Sequence, residues 1–580
     1  MKFIFLLSLF VLSQVMTFAQ ITISNSSYIY IDSVYVYADL AVDLKATDSH
    51  IYLRNNAQFL QGDTGGFNNT GLGSLSVYQT NNVNEYSYSY WCSPVGNNNT
   101  SNSSNNAFVP TLFGDPDSSV NDVAYVPVAF TSYHEGSSNP LTISKRWIYT
   151  YDSSGGSSFN WNYVGSDGDI NPGLGFTMKG VTGSSNSQVY EFRGKPNSGT
   201  ITNVVIENQP AFIGNPYPSG FDAFLFIHDT DNANAINGTL YFWEQSLSTS
   251  SHYQKDYEGG YATYTISNDG LLSSFVPAPF STFNEDGSIN ISGLGIGSKT
   301  VTRHLSIGQG FMVTGKVGTS GVVKTKNSHR VYSNTLQTPS SFFKNTKTQT
   351  GFPSEYKRFR LNIDFDEEYT RQLVHNFNDN ATEGFDYGME IKIQKELKND
   401  VYWTQNNELY VAKASVFNES LSVPIVFNLS SNTTLGFRLF DVQNFESYQA
   451  IYLFDKQTNT HYNLSAENAL LNLDTGNYTD RFEIRFQMET LSIDDENIDQ
   501  PGLVAFFRND NHEIIISNKK AKKIDKVLLY NIKGAQVLKR NLSTQDELIK
   551  IPVSHLPTGI YILKCITDTG ISNFKLLINY

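Results

Sequence analysis

The feature that most constrains this chain is the spacing of its apolar residues. Tyr28-Ile-Tyr-Ile31, Ser33-Val-Tyr-Val-Tyr37 and His50-Ile-Tyr-Leu53 alternate residue by residue. So do Arg358-Phe-Arg-Leu-Asn-Ile-Asp364, Met389-Glu-Ile-Lys-Ile-Gln394 and Arg481-Phe-Glu-Ile-Arg-Phe486. A period of two places successive side chains on opposite faces of a strand, and no helix satisfies it. The 34 Tyr and 39 Phe supply strand formers and core material, while charged residues make up only 17% of the chain. Long helices would draw on Ala, Glu, Lys and Leu instead. One short helix is expected, over Asp222-Ala-Phe-Leu-Phe-Ile-His228, with Asp222 as its N-cap. The expected fold class is all-β, built of several β-sandwich or jelly-roll-like units.

At about 150 residues per domain, 580 residues predict three to five domains. Residues 20–85 carry short, evenly spaced strands and read as the first rungs of a β-solenoid or as a capping sheet. An internal duplication follows. Pro172-Gly-Leu-Gly-Phe-Thr-Met-Lys-Gly180 resembles Ile307-Gly-Gln-Gly-Phe-Met-Val-Thr-Gly315. Each follows an aromatic strand, Trp147-Ile-Tyr-Thr-Tyr151 or Leu240-Tyr-Phe-Trp243. Two related β-domains are therefore expected, at 86–205 and 206–345. The shared Gly-x-Gly-Phe is expected to turn into a buried strand, with glycines where φ is positive. A β-sandwich is expected at 346–490, then an acidic linker at 491–502 and a small domain at 503–580.

The two ends of the chain read as addresses. Lys2 precedes the apolar run Phe3 to Val15, and Thr17-Phe-Ala-Gln20 fits signal cleavage between Ala19 and Gln20. No later segment approaches the ~20 apolar residues that spanning a bilayer requires. From Pro501 to Tyr580 there are 12 Lys and Arg against 6 Asp and Glu, leaving 29 against 49 in the first 500 residues. An acidic body argues against nucleic acid as a partner, because phosphate binding needs a basic face. Cys92 and Cys565 fall in different expected domains, so no disulfide framework is expected.

Within the C-terminal domain, Tyr530-Asn-Ile-Lys-Gly534 places Gly534 at a hairpin turn, and Gly559-Ile-Tyr561 opens a strand. The run Val527 to Gly534, then Ile551-Pro-Val-Ser-His-Leu-Pro-Thr-Gly-Ile-Tyr-Ile-Leu563, then Asn573-Phe-Lys575-Leu-Leu-Ile578 resembles the sorting domain of type IX secretion substrates. That resemblance implies an immunoglobulin-like fold for this domain and the type IX secretion machinery as a partner. It also implies transport across the outer membrane, loss of the domain, and release or attachment at the cell surface. Where many members open with Tyr-Pro-Asn-Pro, this chain has Ala505-Phe-Phe-Arg-Asn-Asp510. The central stretch is similar to large surface proteins of the same route through Tyr90-Trp-Cys-Ser-Pro-Val95, Gly173 to Gly180, Gly214-Asn-Pro-Tyr-Pro218 and Asp480-Arg-Phe-Glu-Ile484. That similarity implies no activity.

No catalytic constellation emerges. Gly310-Phe-Met-Val-Thr-Gly-Lys316 has phosphate-loop spacing, but Val317 stands where a metal-binding hydroxyl is needed. The ten His include no i, i+4 zinc pair, and no Gly-x-Ser-x-Gly elbow occurs. Asp366-Glu367-Glu368 reads as a solvated hairpin end. Asp167-Gly-Asp169-Ile-Asn171 presents alternating oxygens suited to calcium, although Pro172 and Met178 stand where an EF-hand needs Gly and Glu. No other cofactor is expected. Trp147, Tyr149 and Tyr151, with Trp161, are candidates for stacking on sugar rings. The leading expectation is a non-enzymatic surface protein binding a glycan or another surface ligand. The alternatives are a secreted polysaccharide-active enzyme and a passive component of the surface layer.

Overall fold

The computed structural model describes residues 20–62, 68–101, 103–116, 121–153, 160–284, 287–333, 352–366, 369–487, 503–508 and 511–579. The expected leader with Ala19, the linker 491–502, and Glu367 and Glu368 of the acidic triplet lie outside them. The chain is nearly all β and separates into two units, residues 1–488 and 489–580. Among the described residues no helix is long and apolar enough to cross a membrane.

The first unit begins as a parallel β-solenoid. Ile21–Ile23 pairs parallel with Val42–Leu44, which pairs with Thr70–Gly71. Tyr28–Asp32 pairs parallel with His50–Arg54, and that strand with Ser74–Asn81. Tyr35–Ala38 pairs with Gln58–Gln61. Parallel register aligns equivalent residues in columns, and the column Ile31, Leu53, Val77 is buried throughout. The alternation read in the sequence thus sorts Ile inward and Tyr28, Tyr30, Tyr35 and Tyr37 outward. The ladders through residues 20–81 run parallel from strand to strand. Its last rung, Ser74–Asn81, takes Gln188–Pro196 antiparallel, so the solenoid shares a sheet with the region that follows.

The two Gly-x-Gly-Phe segments occupy matching places. Gly175–Lys179 pairs with Tyr88–Cys92, and Gly310–Thr314 pairs with Pro210–Gly214. Each segment also reaches across to the other's partner strand. The Cys92 N–H donates to the Gly308 carbonyl (2.8 Å), and the Gly214 N–H donates to the Gly173 carbonyl (3.2 Å). The first glycine of each motif has positive φ, +80° at Gly173 and +73° at Gly308. The second answers to crowding instead. A Cβ on Gly175 would stand 2.2 Å from the Phe212 ring, and one on Gly310 would stand 2.8 Å from the Trp91 backbone. Close approach explains those two positions, where positive φ was expected.

The expected helix runs over Ala223–Ile227, with the Asp222 side chain accepting from the Phe224 N–H (2.9 Å). A second short helix, Thr230–Ala235, follows with Asp229 as its cap. Beyond residue 352 one continuous ladder of antiparallel strands and a single parallel pair covers Lys357 to Arg485. Tyr452–Asp455, next to one end of that ladder, and Ala469–Leu473, at the other, feed one apolar core around Phe359, Trp403 and Phe427, so the sheet closes over itself.

The second unit is a two-sheet sandwich. Val504–Arg508, Glu513–Ser517 and Leu548–Pro552 form one sheet. Gln536–Thr544, Ile524–Asn531, Gly559–Thr567 and Gly570–Ile578 form the other. Ile514, Val527, Ile551, Leu563 and Leu576 fill the space between. Gly534 turns at φ +79° with its N–H on the Asn531 carbonyl. The Tyr561 hydroxyl donates to the Pro557 carbonyl (2.8 Å), and Lys575 lies exposed opposite Ile562. Tyr530 is half-buried, and Gly559 opens the strand opposite Ile578. Cys92 and Cys565 are both free and buried, and burial raises both thiols, Cys565 to about 12.

Candidate functional site

The aromatic candidates converge on the outer side of the Tyr88–Cys92 strand. Alternation turns Trp91 inward onto Tyr190 and Phe192 and leaves Tyr88 and Tyr90 on the other face. Tyr90 gathers Phe212 (4.5 Å between ring centres), Trp161 (6.1 Å) and Trp243 (6.2 Å), and its hydroxyl meets that of Tyr261 at 2.7 Å. Trp161 also packs edge-on against Tyr151 (5.1 Å), across the hairpin formed by Tyr149–Tyr151 and Trp161–Tyr163. The strand starts at Tyr149, which packs on Tyr163 (5.5 Å), and Trp147 belongs to the 3-10 turn before it.

Trp147 instead forms part of a cage. The Lys179 ammonium lies 4.0 Å from the Trp147 ring centre, 4.4 Å from Tyr257 and 4.8 Å from Tyr88. It donates to the Tyr257 hydroxyl (2.8 Å) and meets the His252 Nδ1 at 3.2 Å. Lys179 is only 2% exposed, and burial pushes its ammonium down to about 7. The rings return part of that cost through cation–π attraction. Nothing in Gly-Phe-Thr-Met-Lys-Gly marks this lysine as buried, because its partners Trp147, His252 and Tyr257 come from distant loops.

Beside this aromatic face runs a groove of about 710 Å³. Thr150, Tyr151, Asp152, Asn162, Thr202 and Asn203 are among the residues that line it. Asn171 stands at the groove as well, so a residue of the suspected calcium loop and a suspected stacking residue share one cleft. Asp167 and Asp169 are exposed, and the Ser166 hydroxyl donates to Asp167 (2.8 Å). Between them and Asn171, Ile170 is buried and exchanges backbone hydrogen bonds with Phe108. No group of three His, Cys, Asp or Glu side chains converges as for a metal ion among the described residues. Asp152 is the only carboxylate among the described residues lining the groove.

A signature of the secretion route stands at one end of the chain, where residues 509–579 match the secretion system C-terminal sorting domain. The chain is thus a type IX secretion substrate, destined for the cell surface or the extracellular space. Residues 117–486 match the family described as a domain of unknown function, DUF8693, and the chain belongs to that family. No curated protein matches. Two solved structures show slight similarity. One is Tp47, the 47-kilodalton lipoprotein of Treponema pallidum, at 9% identity over 65% of this chain and 90% of that one, with a TM-score of 0.12. The other is a biofilm-associated protein BSP domain, at 10% identity over 75% and 88%, also with a TM-score of 0.12. Similarity this slight bears on neither fold nor function.

Proposed function

We propose that the exported chain is a binding protein of the cell surface that takes a glycan into the groove beside Tyr151. The carrying observation is the groove's lining. Asn105, Asn162, Asn171 and Asn203, with Thr150 and Thr202, line it beside the half-buried Tyr151. Amides donate and accept at once, which suits sugar hydroxyls that do the same, and the Tyr151 ring offers apolar surface to a pyranose. Glycoside hydrolysis calls for a pair of carboxyl groups across the scissile bond, and the described lining offers Asp152 alone. Binding without turnover is therefore the reading these residues favour.

A glycan array probed with the secreted chain, in calcium and again in chelator, tests the proposal. A specific hit that falls at least tenfold in apparent affinity for Tyr151→Ala supports it. Loss of that hit in chelator adds Asp167 and Asp169 to the site. A blank array in both conditions, or a hit indifferent to Tyr151, overturns it.

A further inference from the structure

Far from the groove, the closed sheet of residues 357–486 buries a lysine against a glutamate. Glu390 precedes the short strand Ile391–Lys392, and Lys413 lies on Glu408–Ser415, the strand it pairs with. The Lys413 Nζ is in direct contact with a Glu390 carboxylate oxygen, with side-chain exposures of 6% and 0%. The same Glu390 oxygen receives the Ala414 N–H (3.3 Å), and the other receives the Asp386 N–H (3.1 Å). On the neighbouring strand, in register with Lys413, stands His375, whose buried Nδ1 has no hydrogen-bond partner among the described residues while its Nε2 meets the Ser415 hydroxyl (2.8 Å). Phe377, Trp403 and Phe359 surround that imidazole with ring centres within 5.6 Å.

No substrate reaches a site this buried, so any chemistry there joins groups of the chain itself. From this geometry we infer that Lys413 and Glu390 condense into an intramolecular isopeptide bond. Nζ attacks Cδ of the Glu390 carboxyl, the C–N bond forms, one C–O bond breaks, and the oxygen leaves as water with two protons. Neutral amine and neutral acid give amide and water, with no oxidant or co-reactant. Burial raises the Glu390 carboxyl above its ordinary range, which favours its protonated form. The Ala414 and Asp386 N–H groups already point at the two oxygens and stabilise the charge that grows on the tetrahedral intermediate. His375, in register with Lys413 on the neighbouring strand and held neutral by burial, adds no competing charge beside the pair. Contact between fixed strands replaces an encounter in solution, and the dry surroundings favour release of water over its return. The product ties the irregular segment 378–390 to the central sheet in a chain whose two cysteines are unpaired.

Peptide mapping of the secreted full-length chain by mass spectrometry decides the matter. Trypsin cuts after a free lysine and passes over an acylated one. The expected result is a branched species joining the peptides of Glu390 and Lys413, lighter than their sum by one water, with no cleavage after Lys413. Lys413→Met abolishes that species. Recovery of wild-type chain cleaved after Lys413, with Glu390 at unmodified mass, overturns the inference and leaves a buried ion pair.

Discussion

The two Gly-x-Gly-Phe arms share a backbone and differ in everything mounted on it. In both, a positive-φ glycine lends its carbonyl to the other arm's partner strand, and a second glycine admits a neighbour at close range. Beyond that the first arm carries Thr177 and Lys179, while the second carries Met312 and Thr314. Thr177 accepts the Tyr149 N–H (3.2 Å) and donates to the Trp147 carbonyl (2.8 Å), which holds the aromatic hairpin against the sheet. Lys179 then draws Trp147, Tyr88 and Tyr257 around itself. The second arm packs Met312 into the Tyr90, Phe212 and Tyr241 cluster, and the aromatic hairpin beside it, Leu240–Gln245 with Gly259–Ile266, joins its own sheet. The difference teaches that the reciprocal hydrogen bonds belong to the fold, whereas the groove was added to one arm by polar residues on a shared frame.

Substitutions can break this comparison at successive depths. The largest effect is expected at the crossing of the two arms. A Cβ on Gly214 would stand 2.4 Å from that of Cys92 and 2.5 Å from the Gln309 carbonyl oxygen. Gly214→Ala should cost about 3 kcal/mol, read as a lower midpoint of chemical unfolding, because the clash is with fixed strands. A smaller effect is expected at the cage. Burial lowers Lys179 from 10.5 to about 7, so below pH 7 both folded and unfolded chains carry the proton and the full penalty is present. Between pH 7 and 10.5 the unfolded chain binds more protons than the folded one, so stability rises with pH across that window. Lys179→Met should therefore flatten this rise and stabilise the chain at pH 7 by about 2 kcal/mol, measured by unfolding at pH 7, 8.5 and 10. An unchanged slope would mean that the rings and the Tyr257 hydroxyl already compensate the charge. The smallest difference is expected between the leading glycines. Both Gly173→Ala and Gly308→Ala force a left-handed residue, at about 1 kcal/mol each. Gly173→Ala should cost about 1 kcal/mol more, since its Cβ would also meet the Asn203 amide at 2.4 Å. Equal costs would show that Asn203 gives way, and with it that side of the groove.

Much of the fold was legible because alternation survives in a single strand. Ile31 and Leu53 point inward for the same reason that Tyr28 and Tyr30 point outward, and both patterns are local. The Asp222 cap was local as well. The matching of the two arms was visible, but the bridge from Trp91 to Gln309 was not, since residues so far apart leave no periodic trace. The site was legible in part for the same reason. Tyr151 and Asn171 could be picked out by residue type, yet only the folded chain brings both to one groove with Asn203. Nothing local marks Lys179 and Lys413 as buried, because their burial is decided by Trp147, Tyr257 and Glu390, none of them nearby in sequence.

The central claim is that the first arm's decoration makes a glycan groove. Hydrogen exchange of the full secreted chain, with and without the glycan selected on the array, tests it most directly. Protection confined to the backbone of 149–153 and 200–206, with the second arm at 310–314 unchanged, is the predicted result. Protection elsewhere in the chain, with those two strands unaffected at saturating glycan, would contradict it.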